Sequence, residues 1–377
     1  MLELSGNNLV FHFPDVHPSA RVTIGFQRTL RIPDDDKTYP LPPSLGAFPV
    51  RHVEDFQKRL PEKWQKRGGV MLPMYQSEAM WLSFTGHTDP ERGVCYPFAL
   101  KIAAGKQSAV TGKPWSKHLK EKDYCIVPLQ PWLDGYVVDD GHIRQFVAMP
   151  LGGGFTVEEQ LTGKAEFGGL QIEAIPMKRA EYEQRFPKKP PRHNVLRSMS
   201  VMSLGSSHHP KLGSHGLRAT ASWSTNHALS ASMASAESTL ALEALDINSM
   251  GLGAGGRMKQ QVFADPYGLS QWATDSKTRC FIHLADSMTW RAITNEDPPT
   301  VPLTAADYTS HGYPWFDYYS DSPALKGTKA MQKIKTVKQV GKTKGIPALP
   351  ENTSTTPKHV VVIPSSSGKQ VRDGVWK

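Results

Sequence analysis

Gly135-Tyr136-Val137-Val138-Asp139-Asp140-Gly141-His142-Ile143-Arg144-Gln145-Phe146-Val147-Ala148-Met149 is the stretch on which the fold class turns. Two β-branched and aromatic runs, 136–138 and 143–148, flank Asp139-Asp140-Gly141. Asp and Gly tolerate the positive φ that a tight antiparallel connection requires, so the spacing predicts a β-hairpin over 135–149.

Outward from the hairpin, further short runs of the same kind recur. On the N-terminal side they are Leu9–Phe13, Ala20–Phe26, Val70–Tyr75, Ala79–Phe84, Tyr96–Ala103 and Tyr124–Val127. On the C-terminal side they are Phe167–Ile175, Met258–Phe263, Arg279–Ala285 and Met288–Ile293. Each reads as a strand bounded by turn residues. Helical signals are fewer. Val53, Phe56, Leu60 and Trp64 repeat at helical spacing over 52–67, where Pro61 implies a kink or two short helices. A short helix is expected at 115–122, and Leu240, Leu242, Leu245 and Ile247 suggest another. Glycine (31) and proline (30) make up about a sixth of 377 residues, which favours short elements joined by many turns.

The expected fold is therefore mainly β, a β-rich α+β arrangement of antiparallel sheets with short helices. Two β-rich units, 1–186 and 237–325, are expected either as separate bodies or as one discontinuous domain. Between them 187–236 is rich in Ser, His, Lys and Pro and poor in aliphatic anchors, and is expected to be disordered. The same expectation holds for the Lys-rich tail, 326–377. Pro298–Tyr319 reads as an aromatic covering segment. Within it Pro314-Trp315-Phe316-Asp317-Tyr318-Tyr319 echoes Pro131-Trp132-Leu133-Asp134-Gly135-Tyr136. Duplication of a β unit or chance would each account for this.

A net charge of +9 suggests a polyanion partner until it is divided along the chain. Residues 187–236 carry +6 and residues 326–377 carry +9, leaving −6 on the remainder. Attraction to phosphates would thus come from the two basic segments. No apolar run approaches the roughly 20 residues of a membrane span. The N-terminus lacks a signal-like pattern, and three widely spaced cysteines suit a reducing compartment. An intracellular, cytoplasmic protein is expected.

Familiar motifs fail in context. Gly251-Leu252-Gly253-Ala254-Gly255-Gly256 has dinucleotide-loop spacing, but a helix-like pattern precedes it and a β-like run follows, the reverse of what that loop needs. It reads better as a flexible joint, or as an anion cradle in which Gly253, Gly255 and Gly256 present amides beside Arg257. Leu151-Gly152-Gly153-Gly154-Phe155 leads into Thr156 and Glu159, a capping box whose acids would repel phosphate. Gly341-Lys342-Thr343 lacks the first glycine of a phosphate loop. Cys280 and His283 lie an odd number apart on a strand and so face opposite ways. His193, His208, His209, His215 and His227 lie in the insertion without a preformed geometry, and no metal or cofactor is expected.

Charges set among apolar runs remain as candidate chemistry. Lys101, Arg144, Asp134 and Glu158 could line one polar pocket, or each could serve an ion pair holding sheet to helix. The leading expectation is a non-catalytic binding or scaffold protein, with a protein partner or self-association. An enzyme using those four side chains is the second reading. The third is nonspecific nucleic-acid or anionic-membrane contact through the tail.

Overall fold

The computed structural model describes residues 1–188, 249–319, 323–347 and 350–364. The expected insertion beyond residue 188, the helical pattern at 240–247, the histidine cluster and the end of the tail lie outside the described residues. The fold is mainly β, with short helices around antiparallel and mixed sheets.

Chain order begins with β1 (Leu2–Ser5), β2 (Asn8–His12), β3 (Arg21–Thr29), β4 (Thr38–Tyr39), β5 (Ser44–Ala47) and β6 (Arg51–His52). A 3-10 turn at Val53–Arg59 and α1 (Glu62–Arg67) follow; Pro61 separates them as its ring demands. Then come β7 (Val70–Pro73), β8 (Ala79–Gly86), β9 (Phe98–Ala104), β10 (Gln107–Ser108), β11 (Cys125–Val127) and β12 (Trp132–Leu133). The hairpin is β13 (Gly135–Asp139) and β14 (His142–Pro150), turning at Asp140-Gly141 with Gly141 at φ +73°. After it lie α2 (Val157–Thr162), β15 (Leu170–Pro176) and α3 (Arg179–Arg185). Beyond the undescribed segment are β16 (Met250–Lys259), β17 (Thr278–Ala285), α4 (Ser287–Thr294), α5 (Ala305–Ser310) and β18 (Trp315–Tyr319). The last elements are α6 (Lys329–Gln332), α7 (Val337–Thr343) and β19 (Val360–Pro364).

A ten-stranded sheet runs β1-β2-β3-β8-β14-β16-β4, with β5 on β3, β12 on β8 and β13 on β14. A seven-stranded sheet runs β10-β9-β15-β17-β7-β6, with β11 on β9. One apolar core draws on both: Phe11, Phe26, Leu82 and Phe146 from the first, Phe98, Ile102, Ile172 and Ile282 from the second. β16 and β17 each take a place inside a sheet begun by the N-terminal half. The described residues before and after the gap accordingly belong to one compact, discontinuous unit.

Four local expectations need correction. The Gly251–Gly256 run is not a joint but the buried middle of β16, because neighbouring groups crowd where side chains would stand. Residues 115–122 form no helix; the Ser116 and Lys117 carbonyls instead accept from Lys101 Nζ and Lys277 Nζ, both at 2.5 Å. Residues 288–293 belong to a helix, α4, whose start is capped by Asp286 accepting from Thr289 N at 2.7 Å and whose end is left-handed Asn295. The Lys-rich run after 326 is ordered through 347. Thr328 and Thr336 cap α6 and α7, and Met331, Ile334, Val337 and Val340 are buried against the body while most lysines face outward. The two Pro-Trp echoes also occupy different pairings: β12 is antiparallel to β8 and β18 parallel to β19.

Gly256 shows how tight the packing around β16 is. A Cβ there would lie 2.5 Å from the Pro33 carbonyl oxygen and 2.7 Å from Ile32 Cγ2. Gly256→Ala is expected to lower the free energy of unfolding by about 1–3 kcal/mol. Urea denaturation checks this, and an unchanged midpoint would contradict the packing described.

Candidate functional site

The four charges singled out above sit in four separate networks. Lys101, in mid-β9, lies directly opposite Glu173 of β15. Its Nζ is 3.6 Å from Glu173 Oε1 and 4.3 Å above the Trp115 ring, and both charged side chains are 2% exposed. Burial lowers the Lys101 pKa against the opposing pull of Glu173. Glu173 Oε1 has no hydrogen-bond partner among the described residues, so the pair is held by charge rather than by a short bond. Removing one partner of such a pair leaves a buried charge, a cost of roughly 3–5 kcal/mol.

Glu158, at the start of α2, accepts the backbone N–H groups of Glu166, Phe167 and Gly168 at 3.0, 2.8 and 2.8 Å. It organises the loop that feeds β15. Its neighbour Glu159 completes the capping box with Thr156 and also accepts from Gly152 N and Gly154 N, at 2.9 and 2.8 Å. The three-glycine loop is therefore closed on a carboxylate.

Arg144 reaches Asp34 Oδ1 at 3.6 Å and donates to the Gly255 carbonyl at 3.3 Å. It stands in register with Arg257, which donates to Asp139 Oδ2 at 2.7 Å. These two arginines are the candidates that the fold brings together. Burial raises the Asp34 pKa and lowers that of Arg144, with the mutual attraction opposing both shifts. Around the glycines of β16 the closest backbone atoms are carbonyl oxygens: Phe155 O for Gly253, Gln145 O for Gly255 and Pro33 O for Gly256. Carbonyls present negative ends, the wrong polarity for a phosphate cradle.

Asp134 is the most isolated. Gln260 Nε2 donates to its Oδ2 at 2.7 Å, and Gln260 Oε1 accepts from its N–H at 3.0 Å. Burial pushes its carboxyl pKa up to about 7, with the Gln260 bond only partly opposing.

Cys280 joins the main core, while His283 is stacked 4.5 Å from both Trp64 and Phe281 and donates to the Gly68 carbonyl at 3.1 Å. The two face opposite ways, as their spacing requires. No cluster of three or more metal-binding side chains occurs among the described residues. No helix there is long and apolar enough to cross a membrane.

Outside these closed networks the molecule exposes an apolar strand edge that the sequence reading passed over. β18 is anchored from within: Trp315 is buried, 6.0 Å from Tyr39 and 6.1 Å from Tyr308, and Tyr318 meets Trp132 at 4.9 Å. Phe316 exchanges both backbone bonds with Leu41. β19 pairs in parallel with the other side of β18 and, among the described residues, with no other strand. Its Val360, Val361, Val362 and Ile363 are 42, 38, 62 and 37% exposed. The signal was present as four consecutive β-branched residues within a Ser/Thr/Pro-rich stretch. No protein family, curated protein or solved structure matches the chain.

The Asp134 environment makes a pH-dependent prediction. Between pH 4 and 7 an unfolded Asp ionises while the buried one stays protonated, so its contribution to stability falls as pH rises. Asp134→Asn keeps the acceptor for Gln260 and removes the titration. Its stability relative to the parent is expected to rise across that window by on the order of 2–4 kcal/mol and then level off. Parallel pH curves from urea titrations would show that Asp134 ionises normally.

Proposed function

We propose that this chain is a non-catalytic binding protein that captures an extended segment of a partner protein by strand addition at β19. The supporting observation is the exposed apolar edge of Val360–Ile363. An open strand edge offers unpaired N–H and C=O groups along its length, and native proteins normally blunt such an edge with charge, proline or a bulge. Here four adjacent side chains on both faces are apolar.

The register defines what would dock. Trp315 N donates to His359 O at 2.8 Å, which turns the main-chain groups of Val360 and Val362 toward the open side. Lys358 and His359 precede the strand and are exposed. The complementary occupant is an extended segment, apolar on alternate residues and carrying an acid at the end that meets Lys358. The separate networks of Lys101, Asp134, Arg144 and Glu158 favour this reading over an enzyme built on those four groups.

Val362→Pro removes an outward N–H without touching a bond to β18. A short synthetic peptide of alternating valine and threonine, with glutamate at one end, is expected to bind the parent protein. Affinity should fall at least tenfold for Val362→Pro, and binding should be lost when alternate peptide nitrogens are methylated. Calorimetry showing equal affinity for parent and variant would remove the edge from consideration.

A second reading has its own support. Lys326, Lys329, Lys333, Lys335, Lys342 and Lys344 are exposed on a segment fixed to the body, with no acid among residues 326–344. Such a ridge suits nonspecific contact with a polyanion. Replacing Lys333 and Lys335 by Glu is expected to weaken retention on heparin and flatten its salt dependence. Identical elution would assign retention elsewhere.

A further inference from the structure

Three segments converge near Asp265: the loop before β11, the β16–β17 connection and the stretch leading to α6. Phe263 bridges Ala324, Ala264 N donates to Pro323 O at 3.0 Å, and Leu325 N donates to Val262 O at 2.6 Å. A cleft of about 200 Å³ opens between them, with Glu121, Lys122, Tyr124, Asp265, Leu269 and Leu325 among its walls.

Asp265 is built into this cleft without an ion-pair partner among the described residues. Its Oδ2 accepts from the Tyr124 hydroxyl at 2.6 Å and from Trp272 Nε1 at 2.9 Å, and its Oδ1 accepts from Tyr267 N at 2.8 Å. All three donors are neutral, and no cation pairs with Asp265 among the described residues. The carboxylate is fixed in place by neutral donors alone, whereas Glu78, Asp34, Asp139 and Glu173 elsewhere each have a basic partner. Glu121 adds a second acid to the lining. Leu269, Leu325 and Ala264 supply apolar walls.

The backbone beside the cleft is held in an uncommon conformation at one residue. Lys122 has φ +64°, a left-handed geometry that a side chain adopts at a cost of about 1 kcal/mol or more. Strain of this sort persists where neighbouring structure enforces it, and it gathers at ligand clamps.

We propose that this cleft binds a small primary ammonium compound with a branched aliphatic body, of about eight non-hydrogen atoms given its volume. The ammonium pairs with Asp265 and Glu121, the carbon skeleton lies against Leu269 and Leu325, and Lys122 meets a carboxylate when the ligand carries one. Free amines and amino acids share this chemistry, and Lys122 distinguishes them. The site lies apart from β19 and stands or falls independently of strand addition.

The test is calorimetric titration of the full-length chain with leucine, isoamylamine and isocaproate, which share a branched skeleton and differ in their charged groups. Leucine and isoamylamine are expected to bind with dissociation constants below about 1 mM, and isocaproate not to bind. Leu269→Trp, at a partly exposed position, fills the cleft and should abolish binding of both amines. Asp265→Asn should weaken both at least tenfold, and Lys122→Ala should weaken leucine alone. The proposal is overturned if neither amine binds saturably, if isocaproate matches isoamylamine, or if Leu269→Trp binds undiminished. A folded Asp265→Asn with unchanged affinity overturns it equally. Should Asp265→Asn fail to fold, the Leu269→Trp comparison decides.

Discussion

The irregular parts of this protein depend on one recurrent interaction: a side-chain amide or carboxylate that makes paired hydrogen bonds to the backbone of a distant segment. Gln145, fully buried in β14, donates to Leu30 O and accepts from Ile32 N, both at 2.8 Å. Gln160 does the same with Lys335, at 3.0 and 2.8 Å, and Gln130 with Gln261 O and Phe263 N. Gln260 accepts from the Asp134 N–H while donating to its carboxylate, and Glu158 satisfies three successive N–H groups. A buried backbone group without a partner costs on the order of 1–3 kcal/mol. These side chains therefore take the place of strands the chain does not have, and they let long connections lie against the sheets.

That arrangement explains why the polar residues most suggestive of chemistry turn out to be tied into the framework. Glu158 and Glu159 are consumed by loops, Arg144 by Asp34 and a carbonyl, and Lys101 by Glu173. Among the described residues, those left open include an apolar strand edge at β19, a ridge of lysines along 326–344 and the cleft at Asp265.

How much was legible in the residues follows from range. The β13–β14 hairpin, the Thr156–Glu159 capping box and the break at Pro61 are decided within a few residues, and each was readable. The glycine run of β16 was misread because its cause is remote: Ile32, Pro33, Val147 and Val337 occupy the space. Residues 115–122 lost their helix to lysines at 101 and 277, which claim its carbonyls. α4 carried its own signals, Asp286 before it and Asn295 after it, but its apolar residues also fit a strand. In the tail, the lysines masked a three-residue repeat of Met331, Ile334, Val337 and Val340, whose partners, such as Val147, Phe155 and Gly253, lie far upstream in the chain. The strand of β19 was legible in four consecutive β-branched residues, but its exposed edge and the cleft were not, since each depends on segments far apart in sequence.

The interleaving of β16 and β17 into sheets begun much earlier ties this fold to the timing of its own synthesis. β14 ends at residue 150 and its neighbour β16 starts at 250, while β7, complete at 73, joins its sheet through β17 at 278–285. At a ribosomal rate of about 5–20 residues per second, β14 waits roughly 5–20 s for its partner to be made. Throughout that interval a nascent chain carries an open, apolar strand edge in the middle of what will become its largest sheet. An edge held open in this way is where a chaperone or a second nascent chain would pair while synthesis continues.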